Sequence, residues 1–255
     1  MTDMVASLLA AEREGGVLAK GAFAALADLD SAEALQDAFL TAWGEEAGAW
    51  KLGATTRIPR ERLGLARGFI GLVPRRRILA DGASLSLSSL RQRIFELEIA
   101  FVLGADLPTR PEPWSEAEIA AAIAGVTAAF ELPQSRFAII GGEGGLALVA
   151  DNGAAGFAVI GGPINPDWTP QTLAQARFSL SIGESVAHSG SAEEIIGGPF
   201  GALVESVEQA RARGHGFRRG QAVLTGACAA VVDPPPGAAL RGEISGVGAV
   251  ALDLL

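Results

Sequence analysis

The sequence predicts an α+β protein with a rolled or barrel-like sheet, flanking helices and a helical N-terminal segment. Three observations carry this. The first fifty residues read as helices, and from Ile78 onward apolar residues fall mostly into short strand-like runs. Those runs outnumber the helices, and they do not alternate regularly with them as a doubly wound sheet requires.

Met4–Arg13 reads as a first helix, ended by Gly15-Gly16. Ser31 is placed as the N-cap of a second, whose apolar stripe is Leu35, Phe39, Ala42 and Trp43 at helical spacing. Around Trp50 the texture changes to Gly, Pro and short apolar runs, with turns at Gly53, Pro59, Gly64, Gly68 and Pro74. Ser115-Glu116-Ala117-Glu118 is a capping box that opens a helix to about Ala124, broken by Gly125. Val126, Ala128 and Phe130 alternate as a strand ended by Pro133, and Phe157–Ile160 is a short buried strand. Phe178–Ile182 and Ser185–His188 form a hairpin around Gly183-Glu184. Ala202–Arg213 is a helix, and 222–232 and 247–254 are apolar strands separated by a stiff Pro234–Gly237 turn.

Composition excludes several classes. With 49% hydrophobic residues the chain of 255 residues buries a sizeable core. A net charge of −9 and no basic run beyond Arg75-Arg76-Arg77 argue against nucleic acid. No apolar run reaches transmembrane length, and no signal peptide is expected, so a soluble cytoplasmic protein is the default. The lone Cys228 has no disulfide partner and reads as a core residue. His188 and His215 have no partner visible in sequence, and the glycine-rich Gly141–Gly145 reads as a flexible loop or lid.

Phe95–Leu103 is the most informative segment. It alternates strictly, with Phe95, Leu97, Ile99, Phe101 and Leu103 on one face and Glu96 and Glu98 on the other beside Ala100 and Val102. Two carboxylates about 7 Å apart along an apolar strand repel. Either one is protonated, or both face water on an edge strand, or a cation sits between them. The only lysines are Lys20 and Lys51, in a chain that otherwise uses arginine.

Five motifs then occur in order: Trp50–Thr56 (WKLGATT), Glu96–Gly104 (ELEIAFVLG), Phe130–Arg136 (FELPQSR), Val149–Asn152 (VADN) and Gly220–Ala227 (GQAVLTGA). Together they resemble the 2-keto-4-pentenoate hydratase and 4-oxalocrotonate decarboxylase branch of the fumarylacetoacetate hydrolase superfamily, from about Trp50 to the C-terminus. The resemblance implies a fumarylacetoacetase C-terminal-like mixed β-roll over residues 78–255, preceded by a helical region and active-site loop over residues 1–77. It implies Mg²⁺ or Mn²⁺ held by Glu96, Glu98 and Glu131, where it stabilises the enolate of a small 2-oxo or 2-hydroxydienoic acid. Lys51 takes the position of the family's proton-transferring lysine, which needs a pKa lowered by the metal or by burial. Leu52, Asn152, Gly153, Thr225 and Gly226 match substrate-lining positions, structural turn roles standing beside direct contact for Asn152–Gly156 and Thr225-Gly226. The implied activity is a metal-dependent hydratase, with decarboxylation or carbon–carbon cleavage as the close alternative and a non-catalytic partner subunit as the distant one. A homo-oligomer is expected.

The chain departs from that pattern at three places. Val73-Pro74-Arg75-Arg76-Arg77 replaces an acidic loop after Gly71-Leu72, Ala154 replaces a serine, and Gln134 replaces an acid. The arginines fit either a larger anionic substrate or a solvated loop.

Overall fold

The computed structural model describes residues 1–255, in seven α-helices and thirteen strands. The helices are α1 (Thr2–Glu14), α2 (Leu29–Trp43), α3 (Arg57–Leu63), α4 (Glu116–Ala121), α5 (Gly145–Ala150), α6 (Pro170–Ala174) and α7 (Gly198–Ala212). The strands are β1 (Ala47–Gly53), β2 (Phe69–Pro74), β3 (Ile78–Ala80), β4 (Ala83–Leu85), β5 (Ile94–Leu103), β6 (Ile123–Leu132), β7 (Phe157–Ile160), β8 (Arg177–Ile182), β9 (Ser185–Ser191), β10 (Ala222–Leu224), β11 (Ala229–Val232), β12 (Ala239–Ile244) and β13 (Gly248–Leu254). The expected α+β class is the observed one.

A large mixed sheet runs β2-β1-β10-β5-β6-β7-β3, with β11 also pairing β5, and it curls into a half-barrel. A five-stranded sheet, β4-β13-β12-β8-β9, packs beside it. The curl follows from side-chain size. The inner face of the large sheet carries Ala49, Ala100, Ala129, Ala158 and Ala222 with Val73 and Leu224, small enough to let its strands approach across the roll. The outer face carries Trp50, Phe95, Leu97, Ile99, Phe101 and Phe130, all in the main apolar core. Strand alternation therefore sends bulk outward to the helices and small or functional groups inward.

Several local expectations change. Helix α2 starts earlier than Ser31: Asp28 is the cap and accepts from the Ser31 amide, while the Ser31 hydroxyl sits at N3 of a capping box. Asp competes for this position with Ser on equal terms. Gly125 does not break the chain but lies inside β6, where Asn165 crosses so closely that a Cβ would fall 2.5 Å from its carbonyl oxygen. Of the turns placed between Gly53 and Pro74, Gly64 is the left-handed C-cap of α3 and Gly68 lies in the connection to β2. Gly53, Pro59 and Pro74 belong instead to β1, α3 and β2, and β1 pairs with both β2 and β10. One hydrogen-bonded sheet thus extends across the expected division at residue 77, because β1 and β2 need partners for their backbone groups and find them in the roll. The single strand expected over 222–232 is two, β10 and β11, interrupted at Thr225–Cys228 yet both antiparallel to β5. Gly141–Gly145 leads into the buried helix α5, and Glu143 Oε2 accepts from the Gly21 amide at 2.7 Å.

Candidate metal and substrate site

The site forms where the interrupted strand passes the acidic stretch of β5. That strand is central, flanked by β6 on one side and by β10 and β11 on the other, so its carboxylates do not lie on a solvated edge. Glu96 is half-buried and Glu98 is 1% exposed, facing the inside of the roll. Register puts Glu131 of β6 directly opposite Glu96. One carboxylate oxygen from each of the three lies within 4.8 Å of the others.

Burial makes this cluster costly without a counter-charge. Desolvation, then repulsion from Glu96, pushes the Glu98 carboxyl up to about 8, even though its Oε2 accepts from the Gly226 amide at 2.7 Å. Burial pushes Glu131 well above the usual carboxylate range, against the pull of Lys51. Both Glu131 oxygens are buried without a hydrogen-bond partner. Lys51 Nζ lies 3.2 Å from Oε2: close enough for ionic attraction, but not aligned as a hydrogen bond. Three converging carboxylates, one of them with both oxygens buried and orphaned, fit a hard divalent cation, which takes oxygen ligands.

Lys51 stands on β1, facing the same interior, and is 6% exposed. Gly71, its partner on β2, leaves it room: a Cβ there would be 3.3 Å from Lys51 Cγ and 2.5 Å from the Asn152 carbonyl oxygen. Burial acts to lower the lysine's pKa, but Glu131, Glu96 and Glu98 together outweigh it and hold the pKa above its ordinary value. Burial alone therefore does not supply the lowered pKa that proton transfer needs. The carboxylate charges must be neutralised first.

Above these groups opens a cavity of about 210 Å³, lined by Lys51, Glu96, Glu98, Leu52, Gly153 and Gly226 together with Thr55, Phe69, Ile94 and Leu148. Of the positions matched in sequence, Leu52, Gly153 and Gly226 line it. Leu52 does so from the strand end, its side chain belonging to the main core. Asn152 and Thr225 do not line it. The Asn152 side chain is spent on Leu72, accepting from its amide at 2.8 Å and donating to its carbonyl at 2.9 Å, and it also accepts from Gln36 Nε2 at 3.2 Å. The Thr225 hydroxyl donates to the Ile99 carbonyl at 3.1 Å. Both brace the walls.

Phe69, Thr55 and Ile94 were not singled out from sequence. Ile94 carried a usable signal, because it shares strand parity with Glu96 and Glu98. Thr55 is recruited by Gly226, whose φ of 106° and 1.8 Å gap between an added Cβ and Thr55 Oγ1 admit no side chain. A larger cavity of about 710 Å³ beyond Thr56, Pro59 and Ala227 is lined by His188 and Cys228 with Arg57, Glu193 and Glu194. His188 Nδ1 accepts from the Ala230 amide at 2.9 Å, His215 Nε2 lies 2.7 Å from Asp37 Oδ1, and burial pushes the Cys228 thiol up to about 12. None of the three hydrogen-bonds to the site carboxylates, although the Glu98 charge adds to burial in raising the thiol.

The comparisons with known proteins agree with this geometry. The fumarylacetoacetate (FAA) hydrolase C-terminal family matches residues 66–253, including Glu96, Glu98 and Glu131. The chain belongs to the fumarylacetoacetate hydrolase family. It is 32% identical over 201 residues to 2-keto-4-pentenoate hydratase of Paraburkholderia xenovorans (strain LB400), covering 78% of this chain and 73% of that one. It is 26% identical over 202 residues to 4-oxalocrotonate decarboxylase of Pseudomonas sp, covering 79% and 76%. In fold it matches 4-oxalocrotonate decarboxylase from Pseudomonas putida G7, complexed with magnesium and adipate, at a TM-score of 0.85 and 20% identity over 99% of this chain and 96% of that one. These relatives are enzymes, which sets aside the purely non-catalytic reading of the family resemblance. No helix is long and apolar enough to cross a membrane.

Proposed function

We propose that this chain is a Mg²⁺-dependent hydratase of a short 2-hydroxydienoic (2-keto-4-pentenoate-type) acid, with Mn²⁺ as the alternative cation. The observation that carries it is the meeting of three carboxylates, two of them buried, two orphaned Glu131 oxygens and one buried lysine at the base of a small cavity. Glu96, Glu98 and Glu131 would hold the cation, which when bound supplies Lewis-acid polarisation of the carboxylate and 2-oxo oxygens. Lys51 moves the proton at carbon. With the charge on the three glutamates neutralised, burial is the influence left on its ammonium, and burial favours releasing the proton. The Gly226 amide orients Glu98, and the Asn152–Leu72 clip fixes the wall carrying Gly153 and Phe69.

Decarboxylation of a related unsaturated 2-oxo diacid is the second reading. One observation favours it: the groups usual for handling water are missing. Ala154 is fully buried, and the position of the acidic loop is the end of β2, where Val73 packs in the inner cluster. The purified chain with Mg²⁺ separates them on two substrates. Loss of diene absorbance from a short 2-hydroxydienoate without CO₂ release supports hydration. CO₂ release from an unsaturated 2-oxo diacid, whose distal carboxyl leaves its electron pair to the metal-polarised enolate, supports decarboxylation. Absence of any turnover that a chelator abolishes refutes both.

The proposed setting is the cytoplasm, which the single reduced, buried Cys228 suits. The proposed assembly is a homo-oligomer. The composition supports it, since a chain with 49% hydrophobic and only 19% charged residues leaves apolar surface for a partner to cover. A monomeric mass by light scattering refutes it.

A further inference from the structure

Beyond its base of Glu96, Glu98 and Lys51, the substrate cavity carries no charged side chain. Its remaining walls include Leu63, Phe69, Ile94, Pro133, Ile140 and Leu148, with Thr55 and Thr56 as the only other polar side chains. No arginine or histidine lines it. Arg57 and Arg62, next to Thr56 and Leu63, are exposed; Arg57 lies 3.7 Å from Glu61 and lines the neighbouring larger cavity beside Glu193 and Glu194. Four more arginines near the walls in sequence are turned elsewhere. Arg60 Nε donates to the Ala54 carbonyl at 2.8 Å, and its guanidinium faces Glu205 at 3.7 Å. Arg91 is held by the carbonyls of Gly16 and Ala11. Arg136 is fully buried between Asp151 and Glu12. Arg93 is exposed and has the opposite strand parity from Ile94.

The Arg75-Arg76-Arg77 run does not serve the cavity either. Phe69 at the start of β2 lines the cavity, whereas the run follows Pro74 at the other end of that strand, about 17 Å away at the usual rise. Its members are paired with Glu46, Glu45 and Glu12.

Ile94 occupies the telling position. It precedes Glu96 by two residues on the same face of β5, so it stands about 7 Å along the strand from the first metal-side carboxylate. A 2-oxo acid whose head is held over Glu96 and Glu98 extends its tail toward such walls. A tail carboxylate there would lose water and meet no cationic side chain on those walls, Lys51 being held at the base by Glu131, and that penalty is large for an ion. The volume of about 210 Å³ is below the ~300 Å³ at which cavities begin to take drug-sized ligands, so the tail that this cavity encloses, before the larger one beyond Thr56, Pro59 and Ala227, is short.

We infer that this site is selective for short 2-oxo monoacids with an uncharged hydrocarbon tail, that it rejects 2-oxo diacids of the same length, and that Ile94 is a specificity-determining residue. The inference rests on the proposed function only in placing the 2-oxo head at the acidic base.

The test is calorimetric titration of the full chain with saturating Mg²⁺, using three non-reacting probes: oxalate, 2-oxopentanoate and 2-oxopentanedioate. Oxalate reports the head site alone. The expected result is that oxalate binds and that 2-oxopentanoate binds more than about tenfold tighter than 2-oxopentanedioate. Ile94→Arg is expected to shrink or invert that ratio while oxalate affinity stays within about threefold, and Ile140→Arg at the half-exposed rim is a second variant should the first fold poorly. Oxalate binding with equal or tighter binding of the diacid by the wild-type chain overturns the inference and leaves the proposed function standing. Failure of oxalate to bind overturns the head placement itself, and the inference falls with it. An unchanged ratio in both folded variants refutes the role of this wall.

Discussion

Glu98→Gln offers the sharpest test of the buried acidic cluster, because its effect on stability should change sign with conditions. The Glu98 carboxyl titrates at about 8 in the metal-free fold against 4.5 ordinarily, through burial first and the Glu96 charge second. A carboxyl raised in the fold keeps its proton where the unfolded chain has released it. Metal-free stability therefore falls as pH rises from about 4.5 to about 8, and the loss is complete above that. At about 1.4 kcal/mol per pH unit, the cost of the ionised Glu98 at pH 9 is on the order of 5 kcal/mol as a ceiling, and under about 1 kcal/mol at pH 5. Glutamine mimics the neutral acid, and its amide oxygen still accepts the Gly226 N–H. In EDTA at pH 9 the variant should melt about 5–15 °C above wild type, shrinking to about 2 °C at pH 5. With Mg²⁺ at a hundred times its Kd the wild type gains about 2.7 kcal/mol, and the variant, short of one ligand, gains little. Scanning calorimetry at the two pH values, with EDTA and with Mg²⁺, reads all four states. A metal-free variant no more stable than wild type at pH 9 would show that Glu98 is not a strained buried anion, and the metal argument would lose its electrostatic basis.

Lys51→Arg keeps a cation beside Glu131 but cannot exchange a proton near neutral pH, so metal and oxalate binding should persist while turnover drops a hundredfold or more; near-normal turnover would show that the lysine supplies charge only. Gly226→Ala should weaken Mg²⁺ binding measured by calorimetry at least tenfold, since a φ of 106° and the 1.8 Å approach to Thr55 Oγ1 force the amide away from Glu98. Asn152→Ala strands the buried Leu72 amide and carbonyl, and denaturant unfolding should report a loss of about 2–4 kcal/mol. An unchanged midpoint there would mean that water replaces the side chain. Arg136→Ala leaves Asp151 and Glu12 facing an uncompensated buried gap and should cost about 3–5 kcal/mol, whereas Arg136→Met with Asp151→Asn should recover part of it.

Much of the site was legible before any coordinates. The alternation of Phe95–Leu103 set the two glutamates on one face, and the ordered motifs supplied Lys51 and Glu131, which spacing alone does not connect to them. The capping boxes at Ser115 and the Gly183-Glu184 hairpin are local, and local sequence decides such features. The misplacements were also local in cause. Strands β1 and β2 are short, interrupted by Gly and Pro, and buried on both faces, so they show no alternation to read. Gly125 and Gly226 look like breaks along the chain, but the fold uses them where Asn165 and Thr55 come too close for a side chain.

The sequence by itself determined which residue types are present and which face each occupies on its own strand, because side-chain direction has a fixed period. Only the tertiary structure decided what those faces meet. It paired Glu131 with Glu96 across the β5–β6 ladder and turned the acidic face inward against a wall of alanines. It spent Asn152 and Thr225 on bracing the walls and closed the cavity with Phe69 and Ile140, from segments far apart in the chain. Register and burial are properties of pairs of segments, and no single segment carries the information that sets them.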